Sequence, residues 1–566
     1  MKRLQQLIQA TSIGFISGIT AITPAQSAEE VYFNFGVFER GIPTDSLATF
    51  AADGTVDSEL APYITRFPEE QQQKFRDILG TPLSEIAAQL PGQGELIRNP
   101  YGISQLLYSP IGESVLTSLG EIIKTQGHQN GKLAIRGAII LAAADPEGLS
   151  LINIIRFFPT DVLRIDLAEV LALSKAINAN IEATERFLEI AAQQSQAEAA
   201  ADPTMDYTAL PVLAETPRFN VVQVSLMLED STRDRTYPAD LYMPENLDAV
   251  QGPIPVIVFS HGYADSRTNR EFVLAARSVA AHGFVVAMPE HIGSNNAYQA
   301  DLIKGLNDDS FAAMEFVDRP LDIRFLLDTL EQMNSTQFQG RLQLDRVGVI
   351  GHSFGGYTAL VTAGARVDLE HLREPAICDP AADIEPDNLN LSLLLACRVL
   401  ELEASPDAIN QLTDGSLADD RVGLVMAFDP VSSLFGDEGT GQIQIPTFML
   451  GSSLDVAAPI VLEQLTTFER FQTPQKYFYV GDNLSHTTAL TKLMWNVVNP
   501  NSTVEADFDN ADAWLSSIAF SLVIAHGKVH LLEDESYRPY LTSAYVEAVT
   551  KPPFKLHLLR SLPDEL

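Results

Sequence analysis

The run Arg346-Val-Gly-Val-Ile-Gly-His-Ser-Phe-Gly-Gly-Tyr357 sets a serine at the centre of Gly351-x-Ser353-x-Gly355. An apolar run, residues 347–350, precedes it and a helix-forming run, 357–363, follows. A hydroxyl becomes a nucleophile only when a base takes its proton and the backbone presents it clear of its neighbours. A sharp strand-to-helix reversal does the presenting, and small residues at 351, 355 and 356 permit it. Gly and Ser also build ordinary strand-to-helix loops that bind phosphate or nothing. A base and an acid must therefore be found elsewhere in the chain.

When a serine stands at such a turn, the order along the chain is nucleophile, acid, histidine. Of the ten histidines, His486, His526, His530 and His557 follow both the serine and the last predicted strands. His486 lies in Gly481-Asp-Asn-Leu-Ser-His-Thr-Thr488, just beyond a strand. The others fall beside a helical run at 518–525 or in the tail, where a surface or capping role is expected. His486 is thus the candidate general base. Two aspartates end strands at suitable places, Asp455 in Leu450-Gly-Ser-Ser-Leu-Asp-Val-Ala-Ala-Pro459 and Asp429 in Ala427-Phe-Asp-Pro430. Asp455 is preferred as the acid and Asp429 is the alternative. Acyl transfer also needs donors for an oxyanion. The backbone N–H of Phe354 is one, and that of Tyr263, in Ser260-His-Gly-Tyr-Ala264, is the other; His261 is expected to pack beneath the site.

The elements that must position these residues begin near Phe219. Short continuous apolar runs at 255–259, 284–288, 347–350, 422–428, 447–450 and 476–480 alternate with helical stretches. Strands buried between helices read this way, which predicts an α/β-hydrolase fold over residues 215–566. An acidic, Leu-rich insertion at 366–420 interrupts the rhythm and is a candidate lid. Residues 28–205 show apolar positions at three-to-four spacing and predict an all-α domain without clustered catalytic groups. Residues 1–27, with a basic start, an apolar stretch and small residues before Ala28, predict a secretory signal and hence a secreted or periplasmic protein.

No later stretch reads as long and apolar enough to span a bilayer, so no integral membrane segment is expected in the mature chain. The formal net charge of −37 argues against nucleic acid and anionic membrane surfaces as partners and favours a neutral or weakly charged substrate. Cys378 and Cys397, both within the insertion, are a possible disulfide in an oxidising compartment. Metal-binding spacings are not evident, and the chemistry requires no metal or organic cofactor.

Three blocks, Phe259-Ser-His-Gly-Tyr-Ala-Asp-Ser-Arg267, Ala280-Ala-His-Gly-Phe-Val-Val-Ala287 with Glu290-His291, and Gly351-His-Ser-Phe-Gly-Gly356, resemble plasma-type platelet-activating factor acetylhydrolases. Together with Gly451-x-x-x-Asp455-x-x-x-Pro459 and Ser485-His486 they are also similar to bacterial cutinase-like polyester hydrolases. The second resemblance implies Asp455 as the acid and the first implies Asp429. Val31 to Leu167, with Tyr108-Ser-Pro-Ile-Gly-Glu113 and the stretch from Ala138 to Gly148, is similar to an uncharacterised helical domain that precedes α/β-hydrolase domains in exported cyanobacterial proteins.

The combined reading is an exported serine carboxylic-ester hydrolase acting on a small-molecule or lipid ester through an acyl-enzyme. The alternatives are a non-catalytic binding protein of the same fold, or an acyltransferase or amidase using the same groups. Edman or mass analysis of the exported protein is expected to find its first residue at or near Ala28; an intact Met1 would refute the cleaved signal.

Overall fold

The structure is a computed structural model that describes residues 27–36, 38–82, 99–379, 381–382, 385, 389–487, 490–491 and 508–563. All of the expected signal segment except Ser27 lies outside these residues. The chain divides into two compact units, one ending at residue 172 and the other running on from 173.

The first unit is not all-α. Strands β1 (Glu30–Phe35), β2 (Phe38–Pro43), β3 (Ile123–Lys124) and β4 (Val162–Asp166) form a four-stranded sheet in the order β2-β1-β4-β3. Helices α1 (Thr44–Asp53), α2 (Glu69–Gly80), α3 (Lys132–Ala144) and α4 (Leu151–Arg156) belong to the same unit. The signal for β1 is present in Val31, Phe33 and Phe35, which alternate with Glu30, Tyr32 and Asn34. Aromatic and β-branched residues at period two make a pleated, half-buried surface. A helical window laid over this short alternation averages it away. Val162–Asp166, expected to begin a helix, is likewise a strand, and the Asp166 carboxylate accepts from the Ala168 N–H at 3.1 Å where helix α5 (Leu167–Ala201) starts.

Helix α5 runs past the unit boundary, so the division falls upstream of the junction expected near residue 205. Its later turns belong to the second unit, where Ser195 Oγ donates to Glu547 Oε1 at 2.9 Å and Arg560 Nε donates to Glu198 Oε2 at 2.9 Å.

The second unit is an α/β fold on a nine-stranded sheet, ordered β13-β12-β11-β10-β9-β7-β8-β6-β5. The strands are β5 (Val221–Asp230), β6 (Arg235–Pro244), β7 (Ile254–Ser260), β8 (Val285–Pro289), β9 (Leu342–His352), β10 (Val422–Phe428), β11 (Thr447–Ser452), β12 (Lys476–Asp482) and β13 (Lys555–Leu559). Strands β8, β7, β9, β10, β11 and β12 pair in parallel, and the pairs at the two ends are antiparallel. The parallel strands bury side chains on both faces, as their continuous apolar runs require. Helices α6 (Arg270–Ala280) and α9 (Phe508–Leu532) cover one face, and α7 (Glu315–Gln337) and α8 (Phe354–Thr362) the other.

Within α9, Ala513–Leu532 is long and apolar enough to cross a membrane by length and composition alone, with mean hydropathy 1.4, a weak sign that is consistent with the expectation of no integral segment. Its Ile518, Leu522 and Ile524 pack in the core of the sheet's α6 face, which accounts for the composition. The insertion forms short helical segments, and Cys378 and Cys397 are joined by a disulfide. Leu372, Ala396 and Val399 are fully buried members of the sheet's other core.

One buried cation ties these layers together. Arg319, on α7, is wholly buried, and its guanidinium donates to the carbonyls of His261 at 2.7 Å and Gly262 at 3.2 Å. It also donates to Ser294 Oγ at 2.9 and 2.7 Å, lies 3.5 Å from Glu315 and sits 4.5 Å over the Phe354 ring. Burial pushes its pKa down to about 10, which leaves it charged at neutral pH. Only a planar fork of donors serves three backbone and side-chain acceptors at once. Arg319→Met is expected to lower unfolding stability by about 3–5 kcal/mol, the usual cost of orphaning a buried ion-pair partner, with little rescue by Arg319→Lys. Urea midpoints of the three proteins test this, and a Met variant within about 1 kcal/mol of wild type would refute it.

Candidate active site

At the C-terminal end of β9 the chain turns through Ser353 at φ 57° and ψ −120° into α8. A non-glycine residue at positive φ is strained and persists only where its surroundings dictate it. Here Ser353 N–H donates to Phe428 O at 2.9 Å. The glycines around it are required by backbone: a Cβ at Gly351 would stand 1.8 Å from Gly355 O, and one at Gly355 would stand 2.0 Å from Ser260 O. The loop after β7 lies against the serine, since a Cβ on Gly262 would be 3.4 Å from Ser353 Cβ. Phe354 N–H is one of the unsatisfied donors at the start of α8. Tyr263 turns its side chain away, its hydroxyl donating to Ser310 O at 3.3 Å. The Ser353 hydroxyl has no hydrogen-bond partner among the described residues.

His486 and Asp455 come together on the loops that follow β12 and β11. His486 Nδ1 lies 2.6 Å from Asp455 Oδ2, and Asp455 Oδ1 accepts the N–H groups of Ala457 at 2.8 Å and Ala458 at 3.0 Å. Burial opposes charge on His486, yet the hydrogen-bonded Asp455 carboxylate, first among its acidic neighbours, raises its pKa from 6.5 to about 9. Asp429 is close enough to feel both partners, at φ 41° with its side chain buried. Burial, and next the Asp455 charge, push its carboxyl well above the usual range. Its Oδ2 accepts from Ser452 Oγ at 3.2 Å while Oδ1 has no partner among the described residues.

Two residues here escaped the sequence reading. His352, inside the Gly-x-Ser-x-Gly motif, holds the histidine loop: its Nε2 donates to His486 O at 2.9 Å and the two rings lie 4.7 Å apart. Burial, then the charge on His486, lowers its pKa to about 3, so it is neutral and able to donate. Glu463 is fully buried and accepts from Ser433 N–H at 2.7 Å, from Ser433 Oγ at 2.8 Å, and from Asn390 and Ser392 of the insertion. His352 was legible as the residue beside the serine, whereas nothing local marked Glu463.

Four further histidines of the second unit are internal. His526 and His530 are buried on α9, against the expectation of a surface role, because α9 turns that face to the sheet; His526 Nε2 meets Tyr479 OH at 3.0 Å. His557, on β13, is buried and pairs with Glu547 at 3.1 Å. His261 is buried and its Nε2 accepts the His291 N–H at 3.0 Å. No group of three His, Cys, Asp or Glu among the described residues could hold a metal ion.

A cavity of about 210 Å³ opens beside His486, Ser485, His352 and Asp429. Its walls are apolar, with Phe259, Phe272, Ile350, Leu450, Phe520 and Val523 among them. No residue of the 366–420 insertion is among its described lining residues. The insertion reaches the neighbourhood of the site through Glu463 instead.

An α/β fold that carries a strained serine at a strand-to-helix turn, with an Asp–His pair on neighbouring loops, resembles the arrangement of α/β-hydrolases. Residues 197–310 match the family model of platelet-activating factor acetylhydrolase, isoform II, and residues 27–166 match that of an alpha/beta hydrolase of unknown function (DUF1400). The chain is therefore similar to α/β-hydrolases of the platelet-activating factor acetylhydrolase kind over these segments. The 197–310 match spans β5 to β8 and the Gly262 loop and ends before Ser353. No curated protein matches the chain.

The raised His486 pKa fixes a sign. The folded protein holds this proton more tightly than the unfolded chain, so the stabilisation is full below about pH 6.5 and lost as pH rises through about 9. Imidazole NMR is expected to show His486 titrating near 9 and Asp455→Asn to bring it below 7. An unchanged titration in that variant would show that another group charges the histidine.

Proposed function

We propose that this chain is an exported serine carboxylic-ester hydrolase acting through Ser353, His486 and Asp455. The observation that carries the reading is the 2.6 Å Asp455–His486 contact on the loop that His352 fastens to the strained serine turn. Ser353 Oγ attacks the ester carbonyl as His486 accepts its proton, and the developing oxyanion takes hydrogen bonds from the Phe354 and Tyr263 N–H groups. His486 then gives the proton to the leaving alcohol, and an acyl-enzyme remains. Water, deprotonated by the same imidazole, releases the acid.

Asp455 is the better acid on physical grounds. It is the carboxyl group bonded to His486, and two backbone N–H groups hold its other oxygen in place. Asp429, pushed toward its neutral form, is a poor anion for the imidazolium. Removal of the 1–27 segment on export completes this reading.

Ser353→Ala is expected to lower turnover of a short-chain aryl ester by at least ~10⁴-fold. Asp455→Asn should cost about 10³–10⁴-fold and Asp429→Asn less than about tenfold. Because the base must be unprotonated, kcat/KM of the wild type should climb with pH toward about 9. Steady-state assays decide: wild-type-like turnover by Ser353→Ala would sink the assignment, and collapse in Asp429→Asn alone would exchange the two acids.

A further inference from the structure

The unit built on β1–β4 contains a much larger cavity, of about 740 Å³. Its floor is one face of the sheet. Strand register sets Val31 beside Ile42 and Leu163, and Phe33 beside Arg40 and Ile165, and all six line the cavity. Helices supply the opposite wall, with Phe75 from α2 and Ile154 from α4. Protein interiors are close-packed and seldom keep voids larger than a water molecule. Apolar walls give ordered water too few partners to fill such a space. The volume lies within the range of small-molecule sites, roughly 300–1,000 Å³.

Three phenylalanines at the cavity, Phe35, Phe38 and Phe67, are 54%, 74% and 52% exposed. Arg40 is the only charged side chain among the described lining residues, and it has no ion pair or hydrogen bond among the described residues. Its sequence neighbour Glu39, whose side chain belongs to the other face of the sheet, is already taken by Arg164 at 2.6 Å. A long apolar compartment with one unpaired guanidinium matches an alkyl chain that ends in a carboxylate. The chain's overall negative charge does not forbid this, since fields of distant charges are screened over about 8 Å at physiological salt.

We infer that this cavity binds a long-chain fatty acid, the alkyl chain lying between the sheet face and the helices and the carboxylate pairing with Arg40. The site belongs to the first unit alone and does not depend on the chemistry proposed for Ser353. The test is titration of the delipidated full chain with fluorescent cis-parinaric acid, with palmitate as competitor. Saturable binding displaced by palmitate is expected. Arg40→Gln should weaken palmitate by about tenfold, the loss of one charge-assisted hydrogen bond, while hexadecanol changes less than about twofold and ester hydrolysis is unchanged. Ile154→Trp, which fills the cavity, should remove binding of both ligands; Ile165→Trp replaces it should the first variant lose the native circular dichroism. Absence of saturable binding overturns the inference. So does binding that both Arg40→Gln and the Trp variant leave intact, which would place the ligand elsewhere. Association with phosphatidylcholine vesicles without uptake of free fatty acid would equally overturn it and make the phenylalanines a membrane contact.

Discussion

The second unit turns on a charge held in a place where a charge is costly. Arg319 is removed from water entirely, and its desolvation is offset only by the acceptors gathered around it, two of which are the carbonyls of the loop facing Ser353. Those carbonyls are fixed where the loop lies against the serine turn. The guanidinium also stacks on Phe354, the residue that follows Ser353. A single buried ion thus sets the spacing between the turn bearing the hydroxyl and the loop opposite it. Neighbouring Asp322 does the same for its surroundings, taking Arg233, Arg235 and His291 within 3.1 Å.

The two aspartates near His486 show how environment separates like groups. Asp455 has two amide donors and an imidazole to stabilise its negative charge. Asp429 has one hydroxyl and an otherwise dry setting, and it sits in the field of the first carboxylate. Close like charges cannot both ionise at low cost, and burial beside the first carboxylate pushes Asp429 toward its neutral form.

The nucleophile turn, the loop histidine and the alternation of buried strands with helices were legible because each is encoded locally. Small residues at 351, 355 and 356, a histidine just past an apolar run, and strands flanked by helices all announce themselves within a dozen residues. Choosing between Asp455 and Asp429 was not local, since both end strands and the choice depends on which loop reaches the imidazole. Glu463 and Arg319 were invisible for a similar reason: a charge inside a helix reads as a solvated face until the fold buries it. The four-stranded sheet of the first unit was missed because β1 and β2 are short, and their alternation was outweighed by the helices around them. His526 and His530 show the reverse error, polar residues assigned to the surface although α9 is internal all along that face.

Ser353 occupies a backbone conformation in which glycine would rest without penalty, at φ 57°. Holding a side chain there costs on the order of 1–3 kcal/mol, a substantial part of the ~5–15 kcal/mol net stability of an ordinary domain. Selection for folding alone would favour relaxation at this position. The surrounding glycines, the Phe428 carbonyl and the Arg319 anchor instead hold the strained form, so durability has been exchanged for a hydroxyl presented in one direction.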